Sequence, residues 1–495
     1  MNNDPSPEPS SRFRLLRNWT SLMGLVVMLG SLFSFLLLFT LNMLAQFSNP
    51  YIGVLTYMVA PGFLMLGLAL VGLGALLERR RMRKSFEATP RIVIDLSRPR
   101  DQRMLGMFVA GSILFLLVSA LGSYHTYHFT ESVQFCGETC HTVMKPELTA
   151  YLHSPHARVA CTQCHIGPGA TWFIRSKLSG SYQVYATLAK KYPTPVPTPV
   201  KNLRPAQETC EQCHWPRQFV GNLDRTYTYF LSDQTNPVHS VRMLLKVGGA
   251  DPTHGPVGGI HWHMNVGNKV EYIATDEARQ KIGWVRHTSQ QGVVTEFRTP
   301  EFTNQLAEAS IRTMDCVDCH NRPAHKLESP NNAVNLAMTL GRIDPSLPYI
   351  KTNSVFVLVQ NYADENEATN KIAATLSGKY PNGTGDPRVQ KAVAAVQQIY
   401  RDNFFPEMKS SWKSYPDNIG HKDWPGCFRC HDGKHKSSDG KSVIKASDCN
   451  ACHIIVAQGT GKDLEQLDAR GQEFKHPGDE YDKAYLCNDC HTGGL

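Results

Sequence analysis

The first quarter of this chain lacks two residue types that the remainder uses heavily. Neither cysteine nor histidine occurs before His125, although the 495 residues include 14 cysteines and 20 histidines. The sequence also has no flavin, molybdenum or nucleotide-binding motif, because the glycines of GVLTYM and GLGALL lie inside apolar runs and are typical of helix packing. These absences argue against a nucleotide- or flavin-dependent enzyme and confine the cysteine chemistry to the part of the chain after residue 124.

Every cysteine belongs to one repeated motif, and none is left over. Six copies read Cys-x-x-Cys-His, and the first copy has one extra residue between its cysteines. The seven sets are Cys136, Cys140 and His141; Cys161, Cys164 and His165; Cys210, Cys213 and His214; Cys316, Cys319 and His320; Cys427, Cys430 and His431; Cys449, Cys452 and His453; and Cys487, Cys490 and His491. This is the attachment signature of c-type haem, in which two thioethers hold the porphyrin and the histidine binds iron.

Other uses of these cysteines fit the pattern less well. Zinc half-sites, redox dithiols and disulfides do not require a histidine after every second cysteine. The sequence therefore predicts seven covalently bound haems c. At the first motif, a small disulfide loop with a haem-free histidine is the alternative.

Three apolar segments are long enough to cross a membrane, which requires about 20 residues in a helix. They are residues 19–47, 51–77 and 104–123. A cleaved signal peptide explains the first segment poorly, because its apolar run is too long and no small-residue cleavage site follows. We predict three transmembrane helices.

Basic residues set the expected orientation. Residues 78–103 carry nine lysines and arginines and the arm 1–18 carries three, whereas the link 48–50 carries none. The positive-inside rule places the arm and the 78–103 loop in the cytoplasm, and the chain after residue 123 in the periplasm of a bacterial inner membrane. That compartment also suits covalent haem attachment, which fits the absence of cysteine before residue 124.

The formal net charge of +8 comes mainly from the membrane region, since residues 1–103 contribute +6. Two propionates on each haem would make the oxidised outer domain roughly −5. A nucleic-acid partner is therefore not expected, and a basic patch on a redox partner is.

The outer domain divides into four regions. Residues 124–220 hold three motifs. Residues 221–300 alternate in strand fashion in VRMLLKVG, IHWHMNV, KVEYIAT, KIGWVRHT and GVVTEFRT, and they predict one small antiparallel insertion. Residues 301–410 hold the fourth motif and a helical stretch over 353–377 and 387–402, and residues 411–495 hold three motifs and little regular structure. Seven haems leave little room for a protein-only core, so we expect short helices and loops wrapped around haems, and an apoprotein that does not fold.

Thirteen histidines outside the motifs are candidates for the distal iron position. Two imidazoles keep iron six-coordinate in both oxidation states with little rearrangement. We favour His156, His325, His421 and His435, with His153, His239, His261, His263 and His476 as further candidates; His254 and His287 are more typical of structural or solvent-facing residues. His325 and His435 lie too close to His320 and His431 along the chain to reach the far face of the same porphyrin, so each is expected to bind a neighbouring haem.

The sequence resembles the NapC/NirT/NrfH family of membrane-anchored multihaem cytochromes. The resemblance is carried by FCGETCHTVMKPE, SPHARVACTQCH, RSKLSGSYQVY and ETCEQCH behind a membrane helix, over residues 104–220. With MDCVDCHNRPAH and DWPGCFRCHDGKH included, nearly the whole outer domain is similar to the longer, seven-haem inner-membrane cytochromes of the ImcH type.

That resemblance implies quinol oxidation at the outer membrane face. The family places a methionine ligand after the first motif and a lysine near the quinol, which match Met144 and Lys177, and its S-x-H element matches His156 as a distal ligand. This chain departs from the pattern in its wider first motif and in the position of Met144, which falls one residue later. The family's acidic residue after the lysine is also missing, and Gln183 is the nearest polar group.

The residues alone support the same function. A quinol is confined to the hydrocarbon layer, and Cys136 follows the third predicted helix by about a dozen residues, so the first haem is expected at the interface. We predict a quinol dehydrogenase that uses quinol, such as menaquinol, as substrate and a periplasmic cytochrome or reductase as electron acceptor, in anaerobic respiration or extracellular electron transfer. A multihaem terminal reductase of a small nitrogen or sulfur compound and a passive relay subunit are the alternatives, and a homo-oligomer is left open.

Overall fold

The computed structural model describes most of the outer domain and two apolar helices. The described residues are 18–45, 60–84, 97–103, 105–107, 109–111, 125, 128–139, 141–167, 169–200, 203–215, 219, 221–248, 258–264, 267–303, 310–445, 449–478 and 485–494. The chain forms two compact parts, residues 1–135 with 161–182 and residues 136–160 with 183–495. Most of the third predicted membrane helix, 104–123, lies outside the described residues.

Helices α1 (Trp19–Ala45) and α2 (Ala60–Lys84) pack together in the first part. Both are long and apolar enough to cross a membrane. Their backbones approach closely through glycine, since a Cβ on Gly67 would lie 2.7 Å from the Met28 backbone nitrogen. The Asn18 side chain also donates to the Gly74 carbonyl at 3.1 Å. Because α2 ends at Lys84, the basic cluster that we assigned to a loop continues the helix.

The α-helices whose bounds the structure defines in the outer domain are mostly short. They are α3 (His141–Leu152), α4 (Cys161–His165), α5 (Ala170–Leu188), α6 (Ala206–Cys210), α7 (Cys316–Cys319), α8 (Pro330–Thr339), α9 (Ile350–Leu358), α10 (Glu365–Ser377), α11 (Pro387–Asn403), α12 (Cys449–Cys452) and α13 (Cys487–Cys490). Five of them begin or end at a cysteine of a haem motif.

Two antiparallel sheets replace the single insertion that we predicted. Strands β1 (Asn222–Phe230), β2 (Val238–Lys246) and β8 (His453–Gly459) form one in the order β1-β2-β8. Strands β3 (Lys269–Ala274), β4 (Ile282–Thr288), β5 (Val294–Arg298), β6 (Arg312–Thr313) and β7 (Lys436–Ser437) form the other in the order β6-β3-β4-β5-β7. Both sheets take an edge strand from the C-terminal region, where the sequence led us to expect little regular structure.

One predicted strand is wrong. Residues 260–264 of IHWHMNV form a 3₁₀ turn, Ile260–Met264, because Gly259 at φ +88° reverses the chain just before it. Conversely, β1 was not recognised in NLDRTYTYF, whose N-terminal residues are exposed on both faces.

Helices α8 to α11 enclose a core made of protein alone. Val389, Val393, Val396 and Tyr400 form one buried face of α11, spaced as on a helix. They pack with residues such as Leu358 and Ile372, both 0% exposed. The expectation of little protein-only core is therefore wrong for residues 330–404. The predicted helix 353–377 is also two helices, because α9 ends at Leu358 and Asp364 caps the start of α10.

Candidate metal centres

A single helical turn organises the haem motifs. The backbone N–H of the motif histidine donates to the carbonyl of the first cysteine at 2.8 Å for His214, His320 and His491, and at 3.0 Å for His431. Side chains three and four residues apart lie on one face of such a turn. The turn therefore presents two sulfurs and one imidazole to the same side, as covalent attachment of a porphyrin requires. None of the twelve cysteines whose side chains are described forms a disulfide.

Five motif histidines face a second histidine at nearly constant distance. The ring centroids are 6.0 Å apart for His156 and His214, 6.3 Å for His261 and His320, 5.9 Å for His263 and His431, 6.2 Å for His421 and His453, and 5.9 Å for His476 and His491. These pairs involve the third to seventh motifs.

The spacing fits one metal ion between the two rings. An imidazole nitrogen binds a first-row metal at about 2 Å and lies about 1.1 Å from its ring centroid, so two imidazoles on opposite sides of one metal have centroids about 6 Å apart. Rings in direct stacking contact are closer here, at 4.4 Å for Phe219 with His261 and 4.3 Å for Phe428 with His421. The three tilted or nearly parallel pairs, at 5.9 to 6.3 Å, are therefore farther apart than rings in stacking contact, and the spacing of all five pairs would accommodate an iron.

Hydrogen bonds fix the tautomer of three opposing histidines. Nδ1 donates to the carbonyl of Pro323 at 3.1 Å in His156, of Val247 at 2.7 Å in His261 and of Ile260 at 2.8 Å in His263. Because a carbonyl only accepts, Nδ1 carries the proton and Nε2 retains its lone pair. This is the arrangement that orients a metal-binding imidazole.

Burial also favours the neutral ring that binds metal. Desolvation lowers the pKa of His263, His421 and His431 from the ordinary histidine value. These rings are therefore uncharged at neutral pH and need not lose a proton to bind a metal.

Neighbouring motifs are joined by direct contacts. Helix α6, which ends at Cys210, packs against helix α7, which begins at Cys316, and this contact brings the third and fourth motifs together. Arg429, inside the fifth motif, donates to the Asp318 carbonyl of the fourth at 2.7 Å. His261 and His263 are two residues apart yet oppose motifs four and five.

The fourth motif is held by a buried carboxylate. Asp318 is 3% exposed and accepts from the Tyr272 hydroxyl at 2.6 Å and from Arg312 Nε at 2.9 Å. Its second oxygen accepts from the Asp315 backbone at 2.8 Å, which closes a capping box around α7. Burial together with the nearby Asp318 charge raises the pKa of Tyr272. Sequence reasoning missed this network because its members come from three separate segments.

His435 is not a candidate ligand in this structure. Its ring is 0% exposed; Nδ1 lies 2.9 Å from Asp432 Oδ1 and Nε2 lies 3.1 Å from the Ile282 carbonyl. Both nitrogens face acceptors, so neither is left for iron. The prediction from sequence is corrected: His435 joins the fifth motif to β4.

The other predicted histidines differ in their surroundings. His325 Nδ1 lies 3.1 Å from the Glu147 carbonyl and 3.2 Å from Glu147 Oε2. Its Nδ1 therefore faces an acceptor, as it does in His156, His261 and His263. His239 has a buried Nε2 with no hydrogen-bond partner among the described atoms. His153 is exposed on the surface near Asp402, and His287 contacts Asn268 and Trp262 inside a sheet. His254 lies outside the described residues.

The candidate quinol residues lie on two helices. Met144 is half-buried on α3, the helix that begins at His141. Lys177 and Gln183 lie on α5, and their spacing of six residues separates them by about 120° around its axis. Gln183 is exposed, whereas the Lys177, His141 and Cys140 side chains lie outside the described residues. A cavity of about 300 Å³ next to the first motif is lined by residues including Glu138, Lys145 and Glu407.

Comparison with known proteins identifies the family. Residues 98–197 match the model of the NapC/NirT cytochrome c family, N-terminal region. Over 492 residues the chain is 42% identical to the cytochrome c-type protein ImcH of Geobacter sulfurreducens, covering 96% of this chain and 95% of that protein. The chain belongs to the NapC/NirT family of c-type cytochromes.

Family membership agrees with the motif count and the apolar helices. The NapC/NirT cytochromes are membrane-anchored, and α1 and α2 are the described helices suited to that role. The chain is thus a membrane-anchored c-type cytochrome with covalently bound haem that functions in electron transfer. No solved structure matches it.

Proposed function

We propose that the chain is an inner-membrane quinol dehydrogenase, which oxidises a quinol such as menaquinol at its first motif and delivers the electrons through seven haems c to a periplasmic cytochrome or reductase. The observation that carries the proposal is the set of five opposed imidazole pairs. Paired imidazoles suit electron transfer better than substrate reduction, because they leave no open position on the metal. When bound, the haems would supply one-electron redox chemistry.

Five histidines are assigned as distal ligands under this proposal. They are His156 for the third motif, His261 for the fourth, His263 for the fifth, His421 for the sixth and His476 for the seventh. Met144 remains the proposed ligand at the first motif, by its match to the family. His325 remains a proposed ligand outside the fourth motif, supported by its carbonyl-bound Nδ1.

Shared segments support an electron path in sequence order from the third motif to the seventh. Helices α6 and α7 pack together and link motifs three and four, and the His261–His263 turn links four and five. His421 stacks on Phe428 of the fifth motif and opposes His453 of the sixth, while the adjacent Lys422 lies near His491 of the seventh.

The residues near the membrane would handle the protons. Quinol oxidation releases two protons for every two electrons, so hydrogen-bonding groups are needed beside the headgroup. Lys177 and Gln183 are proposed for this task by their match to the family pattern. The basic residues of the N-terminal arm and the 78–103 segment support a periplasmic position for the outer domain.

The direct test is reduction by a quinol. Full-length protein, loaded with haem and reconstituted in liposomes, is mixed anaerobically with a menaquinol analogue while the haem absorption bands are followed. The proposal expects reduction at a rate that saturates with quinol, and a soluble cytochrome should reoxidise the protein. Protein that dithionite reduces but the quinol does not would instead be a relay subunit.

A further inference from the structure

A buried lysine near the seventh motif has no described counter-ion. Lys351, at the start of α9, is 5% exposed, and its Nζ donates to the Phe230 carbonyl. An ammonium group has three donors, and no described carboxylate pairs with this one. The nearest charge acting on it is a second lysine, Lys422, and burial together with that charge lowers the pKa of Lys351 to about 8. A buried ammonium group beside a second positive charge and without a carboxylate of its own is unfavourable.

The nearest acid is already occupied. Asp423 accepts from Ser329 Oγ at 2.8 Å and from Asn332 Nδ2 at 2.9 Å, besides its contact with Lys422 Nζ at 2.5 Å. These donors hold Asp423 against the start of α8. One carboxylate therefore serves Lys422 and leaves Lys351 uncompensated, so the pair retains a net positive charge.

The two lysines belong to the surroundings of the seventh motif. Lys422 Nζ lies 5.9 Å from the centre of the Tyr229 ring, and its partner Asp423 is held at the start of α8 by Ser329 and Asn332. The chain after His491 contacts the same part of the molecule. Trp412 Nε1 donates to the Thr492 carbonyl at 3.1 Å, and the Gly493 carbonyl accepts from Asn331, near the start of α8, at 3.0 Å. Tyr229, which precedes the Phe230 acceptor, lies close to Cys487, the first cysteine of this motif.

A haem attached at Cys487 and Cys490 would bring two carboxylates into this region, because each porphyrin carries two propionates. We propose that Lys351, together with Lys422, binds a propionate of the haem attached at the seventh motif and raises its reduction potential. A nearby positive charge stabilises the reduced form, which carries one more electron. The inference rests on the proposed function only in requiring that the seventh motif carries a haem.

The test compares redox titrations of the haem-loaded full-length protein. Lys351→Met removes the charge and keeps much of the side-chain volume. We expect the midpoint potential of one of the seven haems to fall and the other six to stay unchanged. At a fixed potential, the ratio of reduced to oxidised iron in that haem should fall about tenfold, which corresponds to about 59 mV for one electron. Lys371→Met, at an exposed lysine paired with Glu367 on α10, removes the same formal charge and should leave every potential unchanged.

Further variants keep the outcome decisive. Lys351→Arg keeps the charge and should retain the wild-type titration. If Lys351→Met does not yield folded protein, Lys422→Met is titrated instead and should shift the same haem downwards. A folded Lys351→Met protein with unchanged potentials would overturn the proposal, as would an unshifted Lys422→Met protein. A peptide mass showing no haem on Cys487 and Cys490 would contradict the seven-haem assignment itself.

Discussion

At the residue scale, the motif histidines were predictable and most of their partners were not. Cys-x-x-Cys-His places a proximal ligand by local geometry, whereas a distal ligand has no local signature and is selected by the fold. His156 and His421 were favoured from sequence, and each faces a motif histidine. His261, His263 and His476 were ranked below His435, yet those three face motif histidines and His435 does not. The missed signal was the tight turn after Gly259, which orients two neighbouring histidines differently.

Replacing one distal ligand should change one haem only. His421→Ala is expected to keep all haems attached, because the thioethers do not depend on the distal ligand, and to convert one haem to the high-spin state. Electron paramagnetic resonance measures this directly. His435→Gln is the matched control: it should leave the spin states unchanged and lower stability by about 1–3 kcal/mol through its lost buried hydrogen bonds. A high-spin signal from the control, or none from His421→Ala, would contradict the assignments.

At the element scale, regular pieces were predictable where local pattern sufficed. The helical spacing of the apolar residues in α11 indicates a helix, and the capping residue Asp386 marks where it begins. The two sheets were not predictable as such, because β7 and β8 come from segments more than a hundred residues after β1 to β5. Short two-residue strands such as β6 carry no periodic signal at all.

The turn at Gly259 should control two ligands together. A Cβ at this position would lie 2.4 Å from the Lys246 carbonyl oxygen, and the φ of +88° disfavours other residues. Gly259→Ala is therefore expected to displace His261 and His263 and to convert two haems to high spin. Gly292→Ala, at φ +77° with nothing near its Cβ, is the control and should leave the spin states intact. If both variants gave the same spin-state spectrum, the turn at Gly259 would not be what positions His261 and His263.

The helical core should be separable energetically from the haem ligands. Leu358→Ala removes a fully buried side chain and should cost about 2–5 kcal/mol of local stability. Faster hydrogen exchange in residues 350–377, with an unchanged haem spectrum, is the expected result. Leu340→Ala is the control, because Leu340 follows α8 and is 54% exposed. It should change the opening free energy derived from hydrogen exchange by less than about 0.5 kcal/mol. Loss of haem absorbance in Leu358→Ala would show that the core depends on the haems after all.

At the scale of the whole molecule, composition and motif order were enough to indicate a membrane-anchored cytochrome. The family match and the relative over 96% of the chain agree with that prediction. The residues proposed for the quinol site come from their match to the family pattern. No local sequence pattern predicts which side chains meet at such a site. Orientation in the membrane likewise remains a proposal from basic residues.

Lys177 provides the functional test at this scale. Lys177→Ala should slow reduction by a menaquinol analogue at least tenfold, because the headgroup loses a hydrogen-bonding partner, while dithionite still reduces all haems. Lys371→Ala should keep the wild-type rate. A quinol rate unchanged in Lys177→Ala would remove that residue from the proposed site.

The five opposed histidine pairs are proposed to hold one iron each. A crystal or cryo-electron microscopy structure of the haem-loaded protein tests this assignment. We expect iron bound by Nε2 of both histidines in all five pairs, with porphyrins attached to the adjacent cysteines. Iron coordinated by His435, or rings of these pairs packed without iron between them, would contradict it.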